Sequence, residues 1–265
     1  MINRQTDGPA IIERLQASIF ADKAEEVFHY SNCCYVRPLL PFAFDGLEPL
    51  YPRKILEAHY ELHGRFACML NGVRTRLWQA RAAGDWSAMK IYSRLLTFTR
   101  SEHILHCLLW NCLEPGGKEM PPELDQALTG SFGSTKDASS YFASYAHAAA
   151  GRGWVVLAHD TARDKLTIFK TGELVNMAFW PATPLAALDL WEHAYSRKAG
   201  LKRHDWIEAF MKLINWKFVG RRYLLSRGAG GNIEFLLYAG RSSDMARPEA
   251  EWGPKIQKIV QNAHI

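Results

Sequence analysis

The run Asp189-Leu190-Trp191-Glu192-His193-Ala194-Tyr195 holds the pair of residues best suited to chemistry in this chain. An aspartate closing an apolar segment, with a histidine four residues on, can aim an oxygen and an imidazole nitrogen at one point. Mixed nitrogen and oxygen donors suit a redox-capable ion such as iron or manganese. Buried Asp–His pairs also occur as core hydrogen bonds, and the pair alone leaves both readings open. Other signals are weaker. His59 and His63 stand four residues apart, but the stretch reads HYELH rather than the zinc-helix pattern HExxH. The loop Gly228-Ala229-Gly230-Gly231 lacks the Lys-Ser/Thr of a phosphate-binding loop. Cys107, beside His106, reads as a small buried apolar residue rather than a nucleophile.

The elements that must position these residues follow from pattern. Residues 1–34 read as a helical leader. From Tyr35 to Pro52, Pro38, Pro41 and Pro49 favour an extended path. A long helix is expected over Arg53–Val73, with Ile55, His59, Leu62, Phe66, Met69 and Leu70 on one face. A connecting segment with its own helical character covers 75–96. A second long helix, Phe98–Leu113, carries His103, His106 and Trp110 and stops at Pro115-Gly116-Gly117. Residues 121–150 read as two shorter helices broken around Gly130–Ser134. The apolar or alternating runs 153–160, 165–172 and 184–191 read as strands. A turn of helix and a longer helix around Asp205–Val219 follow. Helices first, then a small sheet with helices, predict an α+β fold divided near residue 120.

Bulk properties set the outer limits. The 265 residues suffice for one large domain or two small ones with a sizeable core. With 48% apolar and 22% charged residues, composition is that of an ordinary globular protein. No apolar run approaches the roughly 20 residues needed to span a bilayer, so no membrane partner is expected. The net charge of +5 and pI near 8.9 permit nucleic-acid contact without showing it. The cysteines are Cys33, Cys34, Cys68, Cys107 and Cys112, without a CxxC pair. They suit reduced thiols in a cytosolic or organelle-matrix compartment.

DLWEHAY closely resembles the signature of the iron/manganese superoxide dismutases, and other stretches resemble that family in order. YVRPLLPFAFDGLEP is similar to its lead-in to the first helix, HYELH to the ligand-bearing stretch there, and HCLLWNCLEP to the second ligand helix. SFGSTKDASSYFASYA and GRGWVVLA resemble the start of its α/β half, and IEAFMKLINWKFV its last helix. The resemblance spans about residues 35–220. It implies a helical hairpin domain over 35–119, then a mixed domain over 120–220 with a three-stranded antiparallel sheet flanked by helices. An extension over 1–34 and a basic one over 221–265 fall outside it. It also implies that His59, His106, Asp189 and His193 hold one iron or manganese ion, as a catalyst or as a remnant. A dimer is implied too, with itself or a related chain, placing Glu192 and His193 near the interface.

Around those ligands the residues depart from the family's pattern. The active-site tyrosine falls at Phe66, and the iron enzymes' glutamine at Glu102, expected as an ionised carboxylate unable to donate a hydrogen bond. Asn176 is a weak candidate for the glutamine of the manganese enzymes. Ile104 and Leu105 replace a tryptophan and an asparagine, and Ser196 replaces the tyrosine that reaches a partner's histidine, here His63. Trp154, Trp191 and Glu192 are retained. Such erosion favours a scaffold reused in assembly, as in the superoxide-dismutase-like proteins of the mitochondrial small ribosomal subunit. On that reading the chain sits in the mitochondrial matrix among ribosomal RNA and ribosomal proteins. From Arg221 onward it carries seven Lys/Arg against four Asp/Glu, positive but no strong RNA arm. An active dismutase, converting superoxide to oxygen and hydrogen peroxide, is the alternative.

Overall fold

Pro52 ends an extended lead-in, and the chain turns at once into helix α1, Arg53–Ala82. A proline tolerates extended backbone but not a helix interior, so it fixes where the helix can begin. The computed structural model describes residues 35–171, 182–196 and 200–228. The expected leader helix, Cys33, Cys34, Asn176, residues 229–231 of the glycine loop and the basic tail beyond it lie outside the described residues.

Helix α1 runs 30 residues, about 45 Å, and does not stop at Val73 as its pattern suggested. Helix α2, Trp86–Cys112, likewise begins well before Phe98. The separate connecting segment therefore does not exist. Its residues extend both helices, because nothing between Arg74 and Ala83 breaks a helix and Gly84, at φ +66°, is the first residue that can reverse the chain. Asp85 caps α2 by accepting from the Ala88 N–H at 2.9 Å. The resulting antiparallel hairpin packs Leu56, Leu62, Phe66 and Met69 against Leu95, Phe98, Leu105 and Leu109, all buried.

Two shorter helices follow, α3 (Pro122–Phe132) and α4 (Thr135–Ala148), separated at Gly133. Strands β1 (Trp154–Asp160), β2 (Lys165–Thr171) and β3 (Ala182–Asp189) form an antiparallel sheet in the order β2-β1-β3. Every residue of β1 is buried, as expected of a central strand covered on both faces. Its register sets Trp154 directly opposite Asp189. A single 3₁₀ turn, Glu192–Ala194, follows β3. Helices α5 (Arg203–Leu213) and α6 (Trp216–Gly228) complete the described chain. The architecture is α+β, a helical hairpin followed by a three-stranded antiparallel sheet with helices. Among the described residues no helix is long and apolar enough to cross a membrane.

One break escaped the pattern. The helix expected across Asp205–Val219 is interrupted at Ile214-Asn215, whose backbone pairs with the chain leaving α2. Asn215 N–H donates to Cys112 C=O at 2.8 Å, and Glu114 N–H to Leu213 C=O at 2.8 Å. These bonds replace intrahelical ones and staple the hairpin to the last two helices. They also place α2 across β3, which brings His106 over Asp189.

Gly117 sits at this junction with φ +65°, and an added Cβ would lie 2.9 Å from the Lys212 carbonyl oxygen. Gly117→Ala therefore combines strained backbone with a main-chain clash. It is expected to lower stability by more than about 1 kcal/mol, read as a lower urea midpoint at unchanged slope.

Candidate metal centre

Three imidazoles and a carboxylate converge where α1, α2, β3 and the following turn meet. His59 comes from α1, His106 from α2, Asp189 from the end of β3 and His193 from the 3₁₀ turn. All four are buried, and one donor atom of each lies within 4.8 Å of the others. Asp189 Oδ2 stands 3.0 Å from His59 Nε2, 2.9 Å from His193 Nε2 and 3.8 Å from His106 Nε2.

Hydrogen bonds behind the rings decide which nitrogens face inward. His106 Nδ1–H donates to the Glu102 carbonyl one turn back at 2.7 Å, leaving Nε2 a bare lone pair, buried and without a hydrogen-bond partner. The Tyr51 hydroxyl donates to the Ala194 carbonyl at 2.9 Å, so its oxygen accepts the His59 Nδ1–H at 2.8 Å. His59 Nε2 is thereby turned toward Asp189. Asp189 is itself fixed: Oδ1 accepts the Trp191 backbone N–H at 2.8 Å, and its carbonyl accepts the Trp206 indole N–H at 2.7 Å. Inward lone pairs around a buried carboxylate are mutually unfavourable unless protons or a cation lie between them. The donor set and the orphaned His106 nitrogen fit an ion such as iron or manganese.

Electrostatics sharpen this picture. Burial pushes the Asp189 carboxyl up, but the His193 and His59 imidazoles more than reverse that and hold it well below the usual range. Burial, helped by His59, holds His106 well below an ordinary imidazole, so it is neutral and ready to ligate. Glu102 goes the other way. Burial first, and repulsion by Asp189 second, raise it well above the usual carboxylate range. The expected ionised Glu102 is therefore corrected to a side chain that favours the neutral acid, which does carry a donor. Its Oε1 accepts the Trp154 indole N–H at 3.1 Å, while Oε2 has no partner in hydrogen-bond geometry.

Phe66 lies against the site, its ring centroid 5.5 Å from His106 and 6.4 Å from His193. Phe66 thus faces the ligands. Trp154 packs edge-on to His106 at 4.9 Å. His63, expected to face a partner subunit, is engaged within its own chain. It accepts the Trp110 indole N–H at Nδ1 (2.9 Å) and stands 2.9 Å from His103 Nδ1 through Nε2. Because Nδ1 is an acceptor, Nε2 of a neutral His63 carries the proton and donates it to His103. The buried trio His63, His103 and Cys107 is therefore a one-way hydrogen-bond chain and not a second ion site. Cys107, pushed up to about 12 by burial, is a thiol at its end, 3.8 Å from both imidazoles. Ser196 lies exposed after the turn. Sequence reasoning missed Tyr51, His103 and Trp206. No spacing rule links Tyr51 to His59, since Pro52 and the start of α1 intervene.

Residues 34–114 match the α-hairpin domain of the iron/manganese superoxide dismutases, and residues 120–222 match their C-terminal domain. The chain belongs to the iron/manganese superoxide dismutase family. Among its relatives are two proteins named manganese superoxide dismutase. That of Mycolicibacterium fortuitum is 30% identical over 203 residues, 76% of this chain and 98% of that protein. That of Nocardia asteroides is 31% identical over the same shares. Manganese superoxide dismutase 2 of Haloferax volcanii is 31% identical over 186 residues, 69% of this chain and 92% of that protein. The family implies an iron or manganese ion, and the four converging side chains supply its kind of donor set.

Two outcomes follow from the hydrogen bonds around the rings. Tyr51→Phe removes the oxygen that orients His59 and frees the Ala194 carbonyl. Affinity for manganese is expected to fall about 10–100-fold in competition with a chelator. Ions compete with protons for imidazole lone pairs, so retention should weaken as pH is lowered and recover as it is raised. Bound metal measured after dialysis at graded pH checks the sign.

Proposed function

We propose that this chain is a working iron- or manganese-dependent superoxide dismutase, with His59, His106, Asp189 and His193 as the ligands. One observation carries the reading: His106 Nε2 is a buried, unpartnered acceptor 3.8 Å from the Asp189 carboxylate, a cost that an ion held by the four ligands would offset. Held by these four residues, iron or manganese would supply one-electron redox chemistry between the +3 and +2 states, suited to the dismutation of two superoxides and two protons to oxygen and hydrogen peroxide.

The chain's own residues supply orientation and a guarded pocket. Tyr51 and the Glu102 carbonyl fix two imidazole tautomers, and Trp206 and the Trp191 N–H fix Asp189. Phe66, Trp110 and Trp154 wall the ligands with rings. The neutral Glu102 acid, steadied by Trp154, offers the donor capacity that a glutamine amide would. The missing Phe66 hydroxyl leaves proton delivery slower than in a dismutase with tyrosine there. None of the relatives named above is described as ribosomal, and the enzymatic alternative is preferred here over the ribosomal expectation. Glu192 stands exposed beside Arg152 at 3.6 Å, where a second copy could reach it, and the proposal includes a dimer across that face.

Protein expressed with manganese and with iron should copurify with metal and dismute superoxide well above the same ion free in buffer. Asp189→Ala should lose both metal and activity. Glu102→Gln should stay active, and Glu102→Leu should lose about 10–100-fold. A metal-filled protein no faster than the free ion would overturn the reading.

A further inference from the structure

At the surface, α4 and α5 bring a second set of donors together. His147 lies in the last turn of α4, and His204 and Glu208 lie one turn apart on α5. An i,i+4 pair projects from one helix face, so the two α5 side chains point the same way. His147 Nε2 is 3.2 Å from Glu208 Oε1, and the His147 and His204 ring centroids are 4.8 Å apart with 31° between their planes. One donor atom from each of the three lies within 4.8 Å of the others. Nitrogen and oxygen donors on a tetrahedral ion, bound at about 2.0–2.1 Å, stand about 3.3 Å from one another. One edge of that tetrahedron is already present, and rotation of exposed side chains closes the rest.

The backbones beneath are held in place. Arg203 at the start of α5 reaches back to the end of α4, donating to the carbonyls of Ala146 (3.3 Å), Ala149 and Gly151 (3.1 Å). Below the surface, Phe142 of α4 stacks on Phe210 of α5 at 5.9 Å and 14°. The distance between the helices is thus set without help from the three donors. The Glu208 carboxylate supplies negative charge where an ion would sit. No indole N–H occupies the outer ring nitrogen here, unlike at His63, so each histidine can choose the tautomer that ligation requires.

We propose that His147, His204 and Glu208 form a surface site for a borderline divalent ion, Zn²⁺ foremost. Water fills its fourth position, and the ion ties the end of α4 to the start of α5. Two imidazoles and one carboxylate favour zinc over calcium or magnesium, which prefer all-oxygen shells. None of its three donors is a ligand of the buried centre.

Calorimetric titration of the full chain with Zn²⁺ tests it, wild type beside His204→Asn, His147→Asn and Glu208→Gln. Zinc taken up at the buried centre is common to all four proteins and cancels in the comparison. Wild type should bind one more equivalent than either histidine variant, and Glu208→Gln should weaken that equivalent about tenfold or more. Zinc should raise the melting temperature of wild type beyond any rise in the variants. Equal stoichiometry, affinity and melting shift in all four would overturn the proposal. Circular dichroism reports folding, and because the histidines lie on different helices, either variant alone supports the comparison.

Discussion

The Asp189 carboxylate, fully buried and facing three imidazoles, is the constraint around which the rest of this structure is arranged. An isolated buried carboxylate costs several kcal/mol, which close and well-oriented partners must offset. Every nearby element answers part of that cost. The sheet delivers Asp189 in register with Trp154, and the 3₁₀ turn folds His193 back over it within four residues. The hairpin brings His59 and His106 together from its two helices. His59 and Asp189, 130 positions apart, thereby come within 3.0 Å.

Bonds to the far sides of these groups matter as much as the groups themselves. Tyr51 joins His59 on α1 to Ala194 beside His193, so one hydroxyl couples the two halves of the chain at the site. Its ring leans on Trp206 at 4.4 Å, and Trp206 holds the Asp189 carbonyl. Tyr51, Trp206 and Asp189 form a continuous buried path from the lead-in segment to α5. A disturbance at any of the three should be felt at the ligands, because a close-packed interior transmits small shifts.

What could be read beforehand was whatever depends on local pattern or on type and order. The α+β order, the strands and the break near Gly133 are local, and they appear in periodicity and turn residues. The grouping of His59, His106, Asp189 and His193 came from resemblance, since spacing alone suggested only Asp189 with His193. The helix ends were misplaced because hydrophobic periodicity marks buried faces. The solvent-facing hairpin tip, with Trp78 and Trp86 exposed, has no buried face to mark. The interruption at Ile214-Asn215 was invisible because its cause is a non-local backbone exchange with Cys112 and Glu114. Tyr51 and the His63–His103 bond depend on side-chain geometry across elements, which one-dimensional spacing does not encode.

Glu102 shows how a reading by residue type can invert once burial is known. By type it is an acid, and beside a metal centre an added anion would resist the lower oxidation state. In place it is buried, bonded to an indole N–H and near an aspartate already held ionised by its imidazoles. Two carboxyls in one buried neighbourhood do not share a fate. The one with cationic or hydrogen-bonding partners keeps its charge and pushes its neighbour toward the neutral form. Burial and the Asp189 charge thus push Glu102 toward the neutral acid, which carries a donor where an amide would present its own. The departure at Phe66 has no such compensation, because a phenyl ring presents no donor in any protonation state. Of the two changes beside the ligands, the loss of the tyrosine hydroxyl therefore removes more hydrogen-bonding capacity than the apparent gain of an acid.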